Sequence, residues 1–296
     1  MNRNEGRFGV PGMPEETLEL DESSPAPAVA AAATGNEGNP FTWAAPTEFV
    51  KIPSGGIFYP PDHPLHQQDS VEIRFMTAKD EDILTSQSLI KQGIAIDRLL
   101  QSVIVDKRIS VGSLLVGDKN ALVIAARITG YGEEYETRAT CPSCGNQETH
   151  LFDLEQQDIG YDPSSALAEY GGRQTEDNTF VLSLPTSGVE VEVRLLTGED
   201  ETQLGKDTER KRRRNLDDSL LTDQMRKYVV SVNGNSSSIV IAQYIHSMPA
   251  RDSRLLRKFY DSITPTISLE QFFACTVCSY TGEVEVPLTA DFFWPK

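Results

Sequence analysis

The 296-residue chain has no run of about 18 apolar residues, so nothing in it reads as a bilayer-crossing helix. Its start lacks a basic region followed by an apolar stretch, and the expectation is folding in a reducing cytoplasm. Positive charge is scarce. Lys and Arg number 27 against 44 Asp and Glu, a formal net charge of −17 that disfavours the nucleic-acid backbone as main partner. Histidine is scarcer still, with four residues, and none pairs with another at metal-ligand spacing on a helix; His63 and His66 sit in a Pro-rich loop. There is no phosphate-binding loop, dinucleotide fingerprint, nucleophile elbow or deaminase arrangement. The acidic clusters Asp80-Glu81-Asp82 and Glu199-Asp200-Glu201 stand where a helix start favours negative charge. The chain therefore reads as non-enzymatic.

What it does have is organisation. Residues 1–40 are an acidic Pro/Ala/Gly-rich tail with seven acidic residues against Arg3 and Arg7, a composition that reads as disordered when alone. The short EETLEL run within it is the part that would order on a partner. Folded sequence begins near Phe41. The stretch FVKIPSGGIFYPPDHPL sets turn residues between apolar anchors and predicts a structured loop. VEIRF then alternates as a strand, and Thr77 caps a helix predicted over about 78–92, followed by helices over 95–102 and 116–127. The opening recurs: VEIRFMTAKDEDIL at 71–84 is echoed by VEVRLLTGEDETQL at 191–204, which points to a duplication or a repeated strand-to-helix solution. Arg74 and Arg194 hold the same place in both. Two basic clusters stand out, Arg210 to Arg214 and the helical Arg251, Arg254, Arg257 and Lys258, the second anchored by Leu255, Leu256 and Phe259 and the better docking surface.

Chemistry concentrates in the only four cysteines, Cys141, Cys144, Cys275 and Cys278. Each Cys-x-x-Cys lies between strand-like segments, with Gly145 or Gly282 beyond its second cysteine. This is the layout of a zinc ribbon, two thiolate-bearing turns facing each other across one ion. Four soft ligands complete a tetrahedral shell and leave no place for substrate, so one structural Zn²⁺ per chain is expected. The thiolates also suit iron, and a thioredoxin-like redox pair is disfavoured by the duplicated context. His150 reads as a strand residue rather than a ligand. The fold class is α+β, with a split four-cysteine zinc ribbon closing a long internal insertion. The expected regions are 1–40 (tail), 41–140 (loop and strand-helix), 141–278 (bounded by the ribbon and holding the second copy at 191–204) and 279–296 (terminal strand and end).

The loop IPSGGIFYP, the segment VEIRFMTAKDEDILTSQSLIKQGIAIDRLL and the Cys141/Cys144 knuckle together resemble the T4-like phage baseplate hub assembly family. Pro53, Ser54, Gly56, Tyr59 and Pro60 match its loop, and Arg74, Thr77, Asp80, Glu81 and Leu84 match its strand-to-helix motif. The resemblance covers 45–155 and, through the echo and second cysteine pair, extends over 45–290. It implies a protein of the virion tail baseplate of a contractile phage, assembled in the host cytoplasm. Such a protein is a scaffold, chaperone or subunit of the central hub, working through contacts with hub or wedge proteins or with its own copies. No catalytic duty comes with it, and no membrane or specific nucleic-acid partner. The tail and the 210–214 run have no counterpart in the family pattern. A cellular zinc-ribbon adaptor of a transcription or translation complex, and a phage capsid or neck protein, are the alternative readings.

Overall fold

Two threonines set the plan of the chain. In the computed structural model, which describes residues 45–159, 161–214, 219–287 and 290–293, Thr77 and Thr197 each follow a strand, stand in extended backbone and begin a helix. The third helical residue turns its carboxylate back. Asp80 accepts from the Thr77 N–H and hydroxyl at 2.8 Å, and Asp200 accepts from those of Thr197 at 3.1 and 3.0 Å. The strand arginine then grips that carboxylate with both nitrogens, Arg74 on Asp80 at 2.7 and 2.9 Å and Arg194 on Asp200 at 2.8 Å twice. Such two-pronged pairing fixes the angle between strand and helix. It holds both aspartates below the usual carboxylate range, against a burial effect that acts the other way.

The echo extends through two whole copies. The first runs β1 (Thr47–Lys51), β2 (Ser70–Arg74), α1 (Ala78–Thr85), α2 (Gln87–Gln92), α3 (Ala95–Val103), a 3-10 turn (Val111–Ser113), α4 (Val116–Tyr131), β3 (Glu134–Thr140) and β4 (Gln147–Asp153). After α5 (Pro163–Tyr170) and β5 (Arg173–Gln174), the order recurs: β6 (Phe180–Ser183), β7 (Glu190–Val193), α6 (Gly198–Arg213), α7 (Leu220–Tyr228), β8 (Val229–Val232), α8 (Ser238–Ser247), α9 (Ala250–Ile263), β9 (Glu270–Ala274) and β10 (Thr281–Glu285). A final 3-10 turn covers Ala290–Phe293. Every strand pairing among the described residues is antiparallel. The result is a mixed fold of helices and small sheets. In copy one Ile104 adds a single bridge beside β2, where copy two places the whole of β8 beside β7.

The match is positional as well as sequential. The Arg, Thr and Asp of the helix start recur 120 positions on (74 to 194, 77 to 197, 80 to 200), and later landmarks recur 134 positions on (118 to 252, 141 to 275, 144 to 278). Asp118 and Asp252 are the third residues of α4 and α9, where the helix N-terminus favours a carboxylate, and both are fully buried. Each holds the turn of its own copy. Asp118 accepts from the Ser54 N–H (2.9 Å), the Ser54 hydroxyl (2.6 Å) and the Tyr59 hydroxyl (2.7 Å), while Asp252 accepts from the Thr186 and Ser187 N–H groups at 3.0 and 2.8 Å. The held segments, IPSGG at 52–56 and LPTSG at 184–188, are thus equivalent.

The single helix expected over 78–92 is two. Ser86 adopts φ −66°, ψ 106° and serves both as end of α1 and start of α2. Beside it the Thr85 hydroxyl donates to the Glu81 carbonyl at 2.9 Å, and adjacent Thr and Ser favour caps over helix interior. The apolar run IVIAQYIHSM is α8, and the helices expected at 95–102 and 116–127 are α3 and α4, each extended at its C-terminal end.

The copies interlock. Val116 N–H donates to Leu196 O at 3.1 Å and Gly198 N–H to Leu114 O at 2.8 Å. Lys119, almost buried, bridges Asp97 of its own copy (2.8 Å) and Glu201 of the other (3.0 Å). A Cβ on Gly117 would lie 1.8 Å from the Pro265 carbonyl oxygen, so that contact exists only because the residue is glycine. One core follows, with Ile73, Leu84, Leu122 and Phe152 of copy one and Val193, Leu256 and Phe273 of copy two in the same buried cluster.

The signature loop carries a direct test. Gly56 has φ +74°, and a Cβ there would stand 2.3 Å from Gln68 O and 2.5 Å from Leu65 O; neighbouring Gly55 has φ +57° but open space around it. Gly56→Ala is expected to cost about 3 kcal/mol or more, backbone strain plus overpacking, and Gly55→Ala about 1 kcal/mol from strain alone. Urea denaturation of the two variants side by side measures the difference, and equal losses would contradict the close approach.

Candidate metal centre

Strand alternation builds the site. In the hairpin β3–β4 the buried face carries Tyr135, Ala139 and Phe152; in β9–β10 the equivalent inward residue is Phe273. The two hairpins are tied across this face. Gln271 donates through Nε2 to Asp153 O and accepts from Asp153 N–H at 3.0 Å, and the Thr276 hydroxyl donates to Glu148. His150 lies on β4, its ring edge-on to Phe152 (4.6 Å between centroids) and Phe273 (5.5 Å). It is a packing residue of the hairpins, as the sequence implies.

At the tips the two turns are built alike. Cys141 N–H donates to Asn146 O and Cys275 N–H to Tyr280 O, both at 2.8 Å. The residue after each second cysteine has positive φ, Gly145 at +72° and Ser279 at +58°. Gly282, the glycine beyond the second pair, does not serve that turn. Gly282 lies within β10, facing the Tyr280 ring, and Ser279 takes the left-handed conformation instead. Ser279→Gly is accordingly expected to raise stability, by about 1 kcal/mol or less once the greater freedom of the unfolded chain is subtracted. A thermal melt of the variant checks the sign.

The turns bring all four cysteines together. Their sulfurs lie within 4.8 Å of one another, with Cys141 Sγ 3.6 Å from Cys278 Sγ and Cys144 Sγ 3.8 Å from Cys275 Sγ. These pairs exchange under interchange of the copies, so the cluster has local two-fold character. The separations are far beyond the roughly 2.05 Å of a disulfide. A regular tetrahedron around an ion bound at about 2.3 Å has sulfur edges of about 3.8 Å. Cys141 and Cys275 are buried while Cys144 and Cys278 are exposed. The Asn146 backbone N–H favours the Cys144 thiolate, but the neighbouring thiols outweigh it and push that thiol up to about 12. The Val277 N–H lies 3.4 Å from Cys275 Sγ. The donor set suits a thiophilic cation and presents no fifth group for substrate or general base.

Other expectations resolve separately. The basic run is the last turn of α6, Arg210 to Arg213 with Arg214 at its cap, where the helix C-terminus favours cations. On α9, Leu256 and Phe259 are buried, Arg251, Arg254 and Lys258 are exposed and Arg257 is half-buried. Asp118 and Asp252 escaped sequence reading, although their shared helix position and 134-residue spacing would have marked them once the cysteine pairs were aligned.

A family model described as T4 bacteriophage base plate protein matches residues 46–294, taking in both copies and all four cysteines. The chain belongs to that family. No curated protein and no solved structure matches it. Members of the T4 base plate family are structural proteins, so this chain is a non-enzymatic baseplate component that works through contacts with other baseplate proteins. No helix among the described residues is long and apolar enough to cross a membrane.

Proposed function

We propose that this baseplate protein acts at the central hub of a contractile tail, as an assembly factor or subunit whose fold is closed by one structural Zn²⁺ held by Cys141, Cys144, Cys275 and Cys278. The observation that carries the metal assignment is the set of four sulfurs at tetrahedral spacing, delivered by equivalent turns of the two copies. In this reading the hairpins form a zinc ribbon split between copies, and the ion clasps residues 141–278 into one closed region, with 41–140 before it and 279–296 after it. Zinc suits the soft four-thiolate set, and its closed shell supplies cohesion rather than catalysis. Hub or wedge proteins are the expected partners, with copies of the same chain as a further contact.

Tagged full-length protein purified from infected cells tests both parts. Zinc near one per chain together with hub proteins is the expected result. Recovery with capsid or neck proteins, or with polymerase or ribosomal proteins, would overturn the hub assignment, and a chain free of metal would overturn the zinc.

A further inference from the structure

A half-open groove of about 970 Å³ lies between the first copy and α6 of the second. Its apolar lining comes from Ile90, Ile94, Ile96 and Val123, with Ile90 left 40% exposed. Lys91, Lys206, Arg210 and Arg213 stand around it, and all four are exposed. The acidic groups in its wall are Asp97, Glu201 and Glu209, of which the first two are taken by Lys119. Arg213 pairs with Glu209 at 2.9 Å and Arg210 with Asp207 at 3.3 Å, whereas no ion pair engages Lys91 or Lys206 among the described residues. In a chain of net charge −17 this rim is an inversion of sign.

The second observation is Gly205. It sits in the middle of α6 on the groove wall, where glycine weakens a helix by about 1 kcal/mol relative to alanine. Nothing in the fold requires it, because its φ is ordinary and a Cβ there would meet no atom within 4 Å. A glycine beside an open apolar trough lets another backbone approach closely, as small residues do where helices pack.

We propose that this groove receives an acidic amphipathic helix from a neighbouring baseplate protein, its leucine-like face against Ile90, Ile94 and Val123 and its carboxylates toward Lys91, Lys206, Arg210 and Arg213. Apolar anchors at helical spacing give such docking its affinity and the charged rim gives it orientation and salt dependence. The proposal rests on the baseplate role only in choosing a protein as the occupant. The metal clasp and the co-purification result do not depend on the groove, so either reading can fail alone.

The probe is a fluorescent peptide of about 14 residues, four helical turns, with Leu at i, i+3, i+4 and i+7 and Glu on the opposite face. A scrambled peptide of equal composition is the control, and binding to the full-length protein is read by anisotropy. The ordered peptide is expected to bind and to weaken about tenfold when salt rises from about 50 to about 300 mM. Lys206→Glu with Arg210→Glu should weaken it about tenfold or more. Gly205→Leu should do the same while leaving the melting temperature unchanged or higher, which separates blocked docking from lost folding. Equal binding of the scrambled peptide, unaltered binding by Gly205→Leu, absence of binding, or displacement by a single-stranded oligonucleotide at lower concentration would each overturn the proposal.

Discussion

Replacing Cys275 with Ser is expected to lower bound zinc well below one per chain and to lower stability by about 5 kcal/mol, the scale of releasing a cross-link around a loop of more than 100 residues. The loss should be concentrated in one place. Cys141 and Cys144 would keep their hairpin but lose the opposing turn, so protease should cut first between 141 and 150. A chelator acting on the unaltered chain should reproduce both effects, since binding energy at a closed thiolate site is also folding energy. Metal analysis, a thermal melt and timed proteolysis of the same preparations measure this. Unchanged metal content and protease resistance in Cys275→Ser would remove that thiol from the site.

Asp118→Ala is the second large effect. Its carboxylate takes three donors with no solvent at hand, and truncation leaves the Ser54 N–H, the Ser54 hydroxyl and the Tyr59 hydroxyl without their acceptor. Burial pushes the Asp118 carboxyl up and the three donors draw it down, with burial prevailing. Losing such a hub is expected to cost about 3–5 kcal/mol, partly as unpaired donors and partly as the cavity left behind. The matching change Asp252→Ala strands the Thr186 and Ser187 N–H donors, while the Ser187 hydroxyl keeps Tyr244 at 2.9 Å, and should cost less, about 2–3 kcal/mol. Denaturant melts of the two variants check the order. A loss under about 1 kcal/mol for Asp118→Ala would show that the 53–60 loop is held by packing alone.

These expectations divide along the line between local and distant interactions. Thr77 with Asp80 and Thr197 with Asp200 were readable because a capping box is completed within four residues, and the cysteine hairpins because alternation and a short turn carry their own signal. The partners of Ser54 and Thr186 lie 64 and 66 residues away, and no local pattern reports that distance. The kinship of IPSGG with LPTSG was hidden by the longer loop of the first copy, which holds Tyr59 and the two histidines before its strand resumes at Ser70. Ser86 looked helical because both its neighbours are, and only its backbone angles show the break. The groove combines α2, α3 and α4 with α6, elements that no window of sequence spans.

The sharing of ligands between copies also has a meaning in time. A chain emerging from the ribosome completes the first hairpin by Asp153 and then holds two thiols with nothing opposite them. The other two are delivered at 275 and 278, within the last hairpin of the second copy. Metal capture on this plan waits for the second cysteine pair: a product cut short before 275 would keep only half of the four-thiol set and leave the first hairpin open at its edge.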